Sequence, residues 1–158
     1  MRQAQEILDV HWDGRLPIDP KQIARSMGLR VVENPMMCES GMIEVDGSGA
    51  ATITVNSTEF GPRQSFTVAH EIGHYALGHV NLGNRLLRDE ASNFMTGTFM
   101  PVEREANRFA ASLLMPARMI NYVIQQGNNS INQLATIFGV SEVAMKWRLV
   151  NLGLLNAN

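Results

Sequence analysis

The stretch "HEIGHYALGH", residues 70–79, places three histidines and one glutamate within ten residues. It continues a run without glycine or proline over residues 64–72, which predicts a long helix. Positions i and i+4 of a helix lie on one face about one turn apart, so His70 and His74 can meet one metal ion. Glu71 lies about 100° round the helix from His70 and can reach a metal-bound water without being a ligand. The alternative interpretation is a pair of core histidines on an amphipathic helix.

His79 is the other histidine of this stretch, and helix geometry argues against it as a third ligand. It lies about 180° round the helix from His70 and about 140° from His74. We therefore predict that His79 packs or caps at the C-terminal end of the helix, where an imidazolium suits the helix dipole. This argument weakens if the helix ends at Gly78.

The third ligand is expected from "VEREANRFAASLLMP", residues 102–116, because catalytic zinc takes three protein ligands and leaves one position to water. Glu103 lies within about 60° of the centre of the apolar face of this second helix, and Glu105 lies about 100° away. A helical wheel of this segment therefore favours Glu103 as the ligand. It places Glu105 on the solvent side with Arg104, Arg108 and Ser112. Asn107 lies one turn after Glu103. We predict that it orients one of the metal-binding side chains by a hydrogen bond, without binding the metal itself.

Composition restricts the class of protein. The chain has 158 residues, 45% apolar and 18% charged, and its net charge is −2. These values predict one domain over residues 1–158 and argue against a protein that mainly coats nucleic acid or an anionic membrane. No apolar run approaches the roughly 18 residues of a membrane span. The single cysteine, Cys38, and an N-terminus unlike a signal peptide predict a cytoplasmic protein.

The order of predicted elements indicates an α+β fold, in which a small sheet packs with the two ligand-bearing helices. Two strands are expected around a turn at Asp46-Gly47, and residues 80–100 are expected to form a loop. A substrate peptide could add to the sheet edge along "TITVN", residues 52–56. The loop from Val80 to Met100 is expected to gate the site or to dock a partner.

The C-terminal tail, residues 130–154, has a helix-turn-helix pattern, with Gly139 at the turn and Ser141 as the next N-cap. Its second helix carries Lys146 and Arg148 as cations, which is fewer than a DNA-reading helix normally shows. We therefore expect the tail to pack on the rest of the domain and not to bind DNA directly.

Residues 63–116 resemble the ImmA/IrrE family of zinc metallopeptidases, through "RQSFTVAHEIGHYALGH" and "VEREANRFAASLLMP". The resemblance implies a zincin-type helix with His70 and His74 as zinc ligands and Glu71 as the catalytic base. It also places the third zinc ligand at Glu103, in agreement with the wheel. One departure is Ser65, which stands where a basic residue is usual.

By the same resemblance, the chain is expected to be a zinc-dependent metallo-endopeptidase that cleaves a helix-turn-helix repressor and so derepresses phage, mobile-element or stress genes. Two other functions stay open at this point. One is the toxin of a toxin–antitoxin pair, whose partner would be an antitoxin. The other is a non-proteolytic, zinc-containing regulator that binds a repressor or DNA. The group that stabilises the oxyanion also stays open among Arg63, Tyr75 and His79.

Overall fold

The computed structural model describes residues 1–83, 85–88 and 100–157. Within these residues the chain forms seven helices and four strands, which confirms the predicted α+β class. In chain order they are α1 Arg2–His11, α2 Pro20–Ser26, β1 Arg30–Asn34, β2 Gly41–Val45, β3 Ala51–Asn56, α3 Gly61–Ala76, β4 Arg85–Arg88, α4 Met100–Leu114, α5 Ala117–Gln125, α6 Ile131–Phe138 and α7 Glu142–Asn151. No helix in the described part of the chain is both long and apolar enough to cross a membrane.

The four strands form one sheet in the order β1-β3-β2-β4. β3 pairs in parallel with β1 and antiparallel with β2, and β4 pairs antiparallel with β2. The predicted turn between β2 and β3 is confirmed, and the Asp46 carboxylate accepts hydrogen bonds from the backbone N–H groups of Ser48 and Ala50. The expectation that a peptide adds along "TITVN" is wrong, because that segment is β3, whose backbone is already paired on both sides.

The segment expected to be a loop contains β4, which sequence reasoning missed. β4 has only four residues, Arg-Leu-Leu-Arg, which is too short to show an alternating pattern. Its pairing with β2 supplies the backbone hydrogen bonds that define it as a strand. Residues 84 and 89–99, on which most of the predicted gate falls, lie outside the described residues.

Helix α3 packs against β2 and β3 and also against α4. Ile43 and Ile53 of the sheet and Ile72 of α3 are fully buried in the resulting core. Burial of each such side chain stabilises the fold by about 1.5–3 kcal/mol. The contact between α3 and α4 is close, because a Cβ atom at Gly73 would lie only 3.0 Å from Cδ1 of Phe109. The histidines of α3 and the carboxylate of α4 are thus held on helices that touch directly.

The tail forms the predicted helix-turn-helix pattern. α6 begins with a capping box of Ser130 and Gln133 and ends at Gly139, whose φ of 63° is left-handed. Ser141 caps α7 by accepting a hydrogen bond from the N–H of Ala144. The turn packs on the N-terminal region, since a Cβ at Gly139 would lie 2.9 Å from Cβ of Pro17. The apolar positions of the tail are largely buried, among them Leu134, Phe138, Val140, Met145 and Leu149.

Arg148 is turned towards the protein and not presented to a ligand. Its Nε donates to the backbone carbonyl oxygen of Met115 over 3.0 Å. Burial lowers the pKa of the Arg148 guanidinium. One of the two cations counted on the tail's second helix therefore contacts the rest of the domain.

Candidate functional site

The site is built on the buried segment of α3 from Thr67 to His74. His70 and His74 lie one helical turn apart and are 1% and 2% exposed. Their Nε2 atoms face each other over 2.9 Å. The helical register predicted from the sequence therefore brings two imidazole nitrogens to one point.

Helix α4 brings a carboxylate to the same point. The Oε2 atom of Glu103 lies 3.1 Å from Nε2 of His70, and its Oε1 atom lies 3.2 Å from Nε2 of His74. The ligand atoms of the three residues all lie within 4.8 Å of one another. Glu105 does not join them, and its side chain is 56% exposed. The helical wheel thus correctly predicted that Glu103 turns inward and that Glu105 faces solvent.

The wheel was wrong about Ser112, which was expected on the solvent side of α4. Ser112 is only 8% exposed. A helical wheel describes one helix, and it cannot show which of its flanks a neighbouring segment covers.

The pKa of Glu103 reflects the two histidines around it. Burial raises this pKa, but hydrogen bonds and charge interactions with His70 and His74 outweigh burial and hold the pKa well below the ordinary value of 4.5. Glu103 is therefore an ionised acceptor at neutral pH, placed where positive charge is favoured.

Asn107 lies behind His70, as predicted. Its Oδ1 atom is 2.9 Å from Nδ1 of His70, so Nδ1 donates to the amide oxygen. Since Nδ1 donates to Asn107, Nε2 of His70 is the nitrogen that faces Glu103 and that could bind a metal ion once it has lost its proton. An outer hydrogen bond of this kind fixes the orientation and tautomer that a metal-binding histidine needs.

Glu71 is fully buried beside the two histidines and is not part of the three-ligand group. Its carboxylate lies against β2, where a Cβ atom at Gly41 would be 3.5 Å from Oε1 of Glu71. The same Cβ would be 2.3 Å from Cγ2 of Thr67. Any side chain at position 41 would therefore collide with α3 next to Glu71, and only glycine allows this approach.

His79 contacts the site in a way that sequence reasoning missed. Helix α3 ends before it, and Gly78 takes a left-handed φ of 73°. The N–H of His79 then donates to the carbonyl of His74, and the N–H of Gly78 donates to that of Tyr75. This is a Schellman motif, which returns the chain towards the last turn. The imidazole of His79 consequently lies behind His74, with 3.0 Å between the two Nδ1 atoms.

The prediction that His79 is not a ligand agrees with this position, because its ring lies on the outer side of His74. Its Nε2 atom lies 3.1 Å from Oε2 of Glu105. The signal for this contact was present in the sequence. A glycine directly after a helix, followed by a polar ring, predicts that the ring folds back on the residue five positions earlier.

The residues considered for the oxyanion have other surroundings. Arg63 forms an ion pair with Glu59, with 3.3 Å between Nε and Oε2. Tyr75 lines a surface depression with residues of α1, among them Ile7 and His11. Neither belongs to the group that His70, His74 and Glu103 form.

The three converging groups suit a divalent transition metal ion. Bonds of about 2.0–2.1 Å in tetrahedral geometry put neighbouring ligand atoms about 3.3 Å apart. The three separations of 2.9–3.2 Å between these atoms come close to this value. Two imidazole nitrogens and one carboxylate match zinc better than calcium or magnesium, which prefer oxygen ligands throughout. His70, His74 and Glu103 could therefore hold a metal ion.

Comparison with known proteins agrees with this chemistry. A comparison with curated proteins finds no match. A solved Mycobacterium tuberculosis transcriptional regulator has a similar fold, with a TM-score of 0.65 and 19% identity. The similarity covers 94% of this chain but 45% of the regulator, so this chain spans less than half of that protein's length. The family model described as the IrrE N-terminal-like domain, Peptidase M78, matches residues 24–150. The chain therefore belongs to the ImmA/IrrE family, which is a family of the metallopeptidase type.

Proposed function

We propose that the chain is a zinc-dependent metallo-endopeptidase. The observation that supports this most directly is the convergence of His70, His74 and Glu103 from two touching helices, with Glu71 buried beside them. In the proposal, His70, His74 and Glu103 hold the metal ion. Membership of a peptidase-type family supports the same function.

A bound zinc ion would lower the pKa of a water ligand towards neutrality and polarise the scissile carbonyl. Glu71 would accept a proton from the attacking water at its carboxylate and pass it to the leaving amine. Burial of Glu71 suits this role, because it keeps bulk water away from the carboxylate that would receive the proton. Asn107 would keep Nε2 of His70 unprotonated and directed at the ion.

We further propose that the substrate is a helix-turn-helix repressor, cut so that repressed genes are switched on. This part rests on the resemblance to the ImmA/IrrE family. The charge of −2 and the inward position of Arg148 support a protein substrate more than a nucleic-acid ligand.

The direct test is co-expression with any helix-turn-helix repressor found to be encoded near the gene for this chain. We expect two repressor fragments, which disappear with Glu71→Gln or when a chelator is added. Glu44→Gln is the matched control, because Glu44 is an exposed carboxylate on β2, and it should leave the fragments unchanged.

Other outcomes would identify the other functions. If the repressor stays intact but loses DNA binding on contact with this chain, the chain is a non-proteolytic regulator. If expression of the chain alone stops growth and the repressor is neither cut nor released from DNA, the chain is the toxin of a toxin–antitoxin pair. In either case the endopeptidase proposal fails.

A further inference from the structure

His79 and Glu105 form a short line of contacts that ends on His74. Oε2 of Glu105 lies 3.1 Å from Nε2 of His79, and Nδ1 of His79 lies 3.0 Å from Nδ1 of His74. Nε2 of His74 then faces His70 and Glu103. Both nitrogens of each ring in the line thus have a polar neighbour.

The positions of the protons follow from the first member of the line. An ionised carboxylate can only accept, so Nε2 of His79 must carry its proton and donate to Glu105. In a neutral ring the other nitrogen then accepts, so Nδ1 of His79 accepts from Nδ1 of His74. With Nδ1 of His74 donating to His79, Nε2 is the nitrogen left to bind a metal ion. That ion would take the place of the proton that Nε2 shares with Glu103, because a histidine must be deprotonated at the nitrogen that binds the metal.

We propose that His79 is a positioning residue that fixes the tautomer and ring orientation of His74 for metal binding, with Glu105 fixing His79 in turn. His74 is thereby matched to His70, which Asn107 holds in the same tautomer from its own outer side. The two histidines of α3 use different acceptors for the same purpose: an amide oxygen from α4, and an imidazole nitrogen from the turn after α3. The inference rests on the proposed metal binding.

The Schellman turn is what makes this contact possible. The hydrogen bond from the N–H of His79 to the carbonyl of His74 is 2.9 Å and ties the two residues together through the backbone. The side chain of His79 is also largely covered, at 9% exposure, whereas that of Glu105 is 56% exposed. We therefore expect His79 to contribute more than Glu105, because water can replace part of what an exposed carboxylate supplies.

The test measures the zinc dissociation constant of the full chain by competition with a chromophoric chelator. His79→Leu keeps the bulk but offers no acceptor, and it should weaken zinc binding about 10- to 100-fold. His79→Asn retains an oxygen near the position of Nδ1, as Asn107 does for His70, and should recover most of that loss. Glu105→Gln should weaken binding by a smaller factor. Glu44→Gln is the control for removal of an exposed carboxylate.

A second measurement separates ligand positioning from simple packing. The visible absorption spectrum of the Co²⁺-loaded protein reports ligand geometry, and it should change with His79→Leu and return with His79→Asn. Equal losses of zinc affinity in both His79 variants, or no loss in either, would overturn the proposal. Failure of the unmodified chain to bind zinc would instead contradict the proposed metallopeptidase function, so the two failures are distinguishable.

Discussion

Gly73 controls how closely the two ligand-bearing helices approach, and Gly73→Ala is the most informative single substitution. The added Cβ would lie 3.0 Å from Cδ1, and 3.2 Å from Cβ and Cγ, of Phe109. Carbon atoms prefer separations of about 3.5–4.0 Å, so Phe109 and the helix that carries it must move away by a few tenths of an ångström. Phe109 is fully buried and cannot swing into solvent.

Two energies of opposite sign decide the effect on stability. Alanine favours a helix over glycine by about 1 kcal/mol. An extra methyl group in a packed core costs about 1–3 kcal/mol. The free energy of unfolding of the metal-free chain should therefore fall by about 0–2 kcal/mol in urea denaturation, which combines the two estimates.

The effect on metal binding should be larger, because metal–ligand distances tolerate deviations of only about 0.2 Å. A displacement of α4 carries Glu103 away from His70 and His74, so we expect zinc affinity to fall about tenfold or more. Gly61→Ala is the matched control, since a Cβ at Gly61 meets no atom within 4 Å. Phe109→Leu should restore affinity in the Gly73→Ala background. If Gly73→Ala raises stability and leaves zinc affinity unchanged, the close approach does not set the ligand geometry.

Further predictions concern the individual groups. Glu103→Ala should abolish stoichiometric zinc in a metal analysis, whereas Glu105→Ala should still bind one zinc ion at saturating zinc; the reverse pattern would contradict the wheel. Because the folded-state pKa of Glu103 lies below 4.5, its ionised form stabilises the metal-free fold above pH 4.5, and this contribution should be lost as the pH falls below 4.5. Glu103→Gln should lack that part of the pH dependence in urea titrations. Glu71→Gln should retain fold and zinc but lose peptidase activity about 10²- to 10⁴-fold, and normal cleavage would show that another group activates the water. The full chain should show no sequence-selective, salt-dependent DNA binding, and a titration that finds it would refute the packed role of residues 130–154.

Local periodicity was sufficient to predict that the side chains of His70, His74 and Glu103 converge. The spacing of His70 and His74 fixes their common face, and the apolar face of α4 turns Glu103 inward, since both depend only on helix geometry. Helix caps and turns could also be predicted from the sequence. The turn at Asp46 and the cap at Ser141 each depend on one side chain that bonds to nearby backbone.

Features that depend on residues far apart in the sequence could not be predicted from it. The order β1-β3-β2-β4 places β3 inside the sheet, although nothing in its sequence distinguishes it from an edge strand. β4 exists through its pairing with β2 and carries too few residues to show a period. The contact of His79 with His74 lies between these cases, because it is local in sequence but requires the helix to end at Gly78.

The direct contact between α3 and α4 has a consequence for how such proteins diversify. Phe109 packs directly on Gly73, so the two helices that carry His70, His74 and Glu103 contact each other without an intervening segment, and residues 77–99 connect them along the chain. Doubling the length of a connection costs only about 0.6 kcal/mol in loop-closure entropy. A longer connection between the two helices should therefore cost little stability, provided that the turn through Gly78 and His79 and the contact of Gly73 with Phe109 are kept. Under the proposed function, the length of this connection could then vary among related proteins without moving His70, His74 and Glu103 apart.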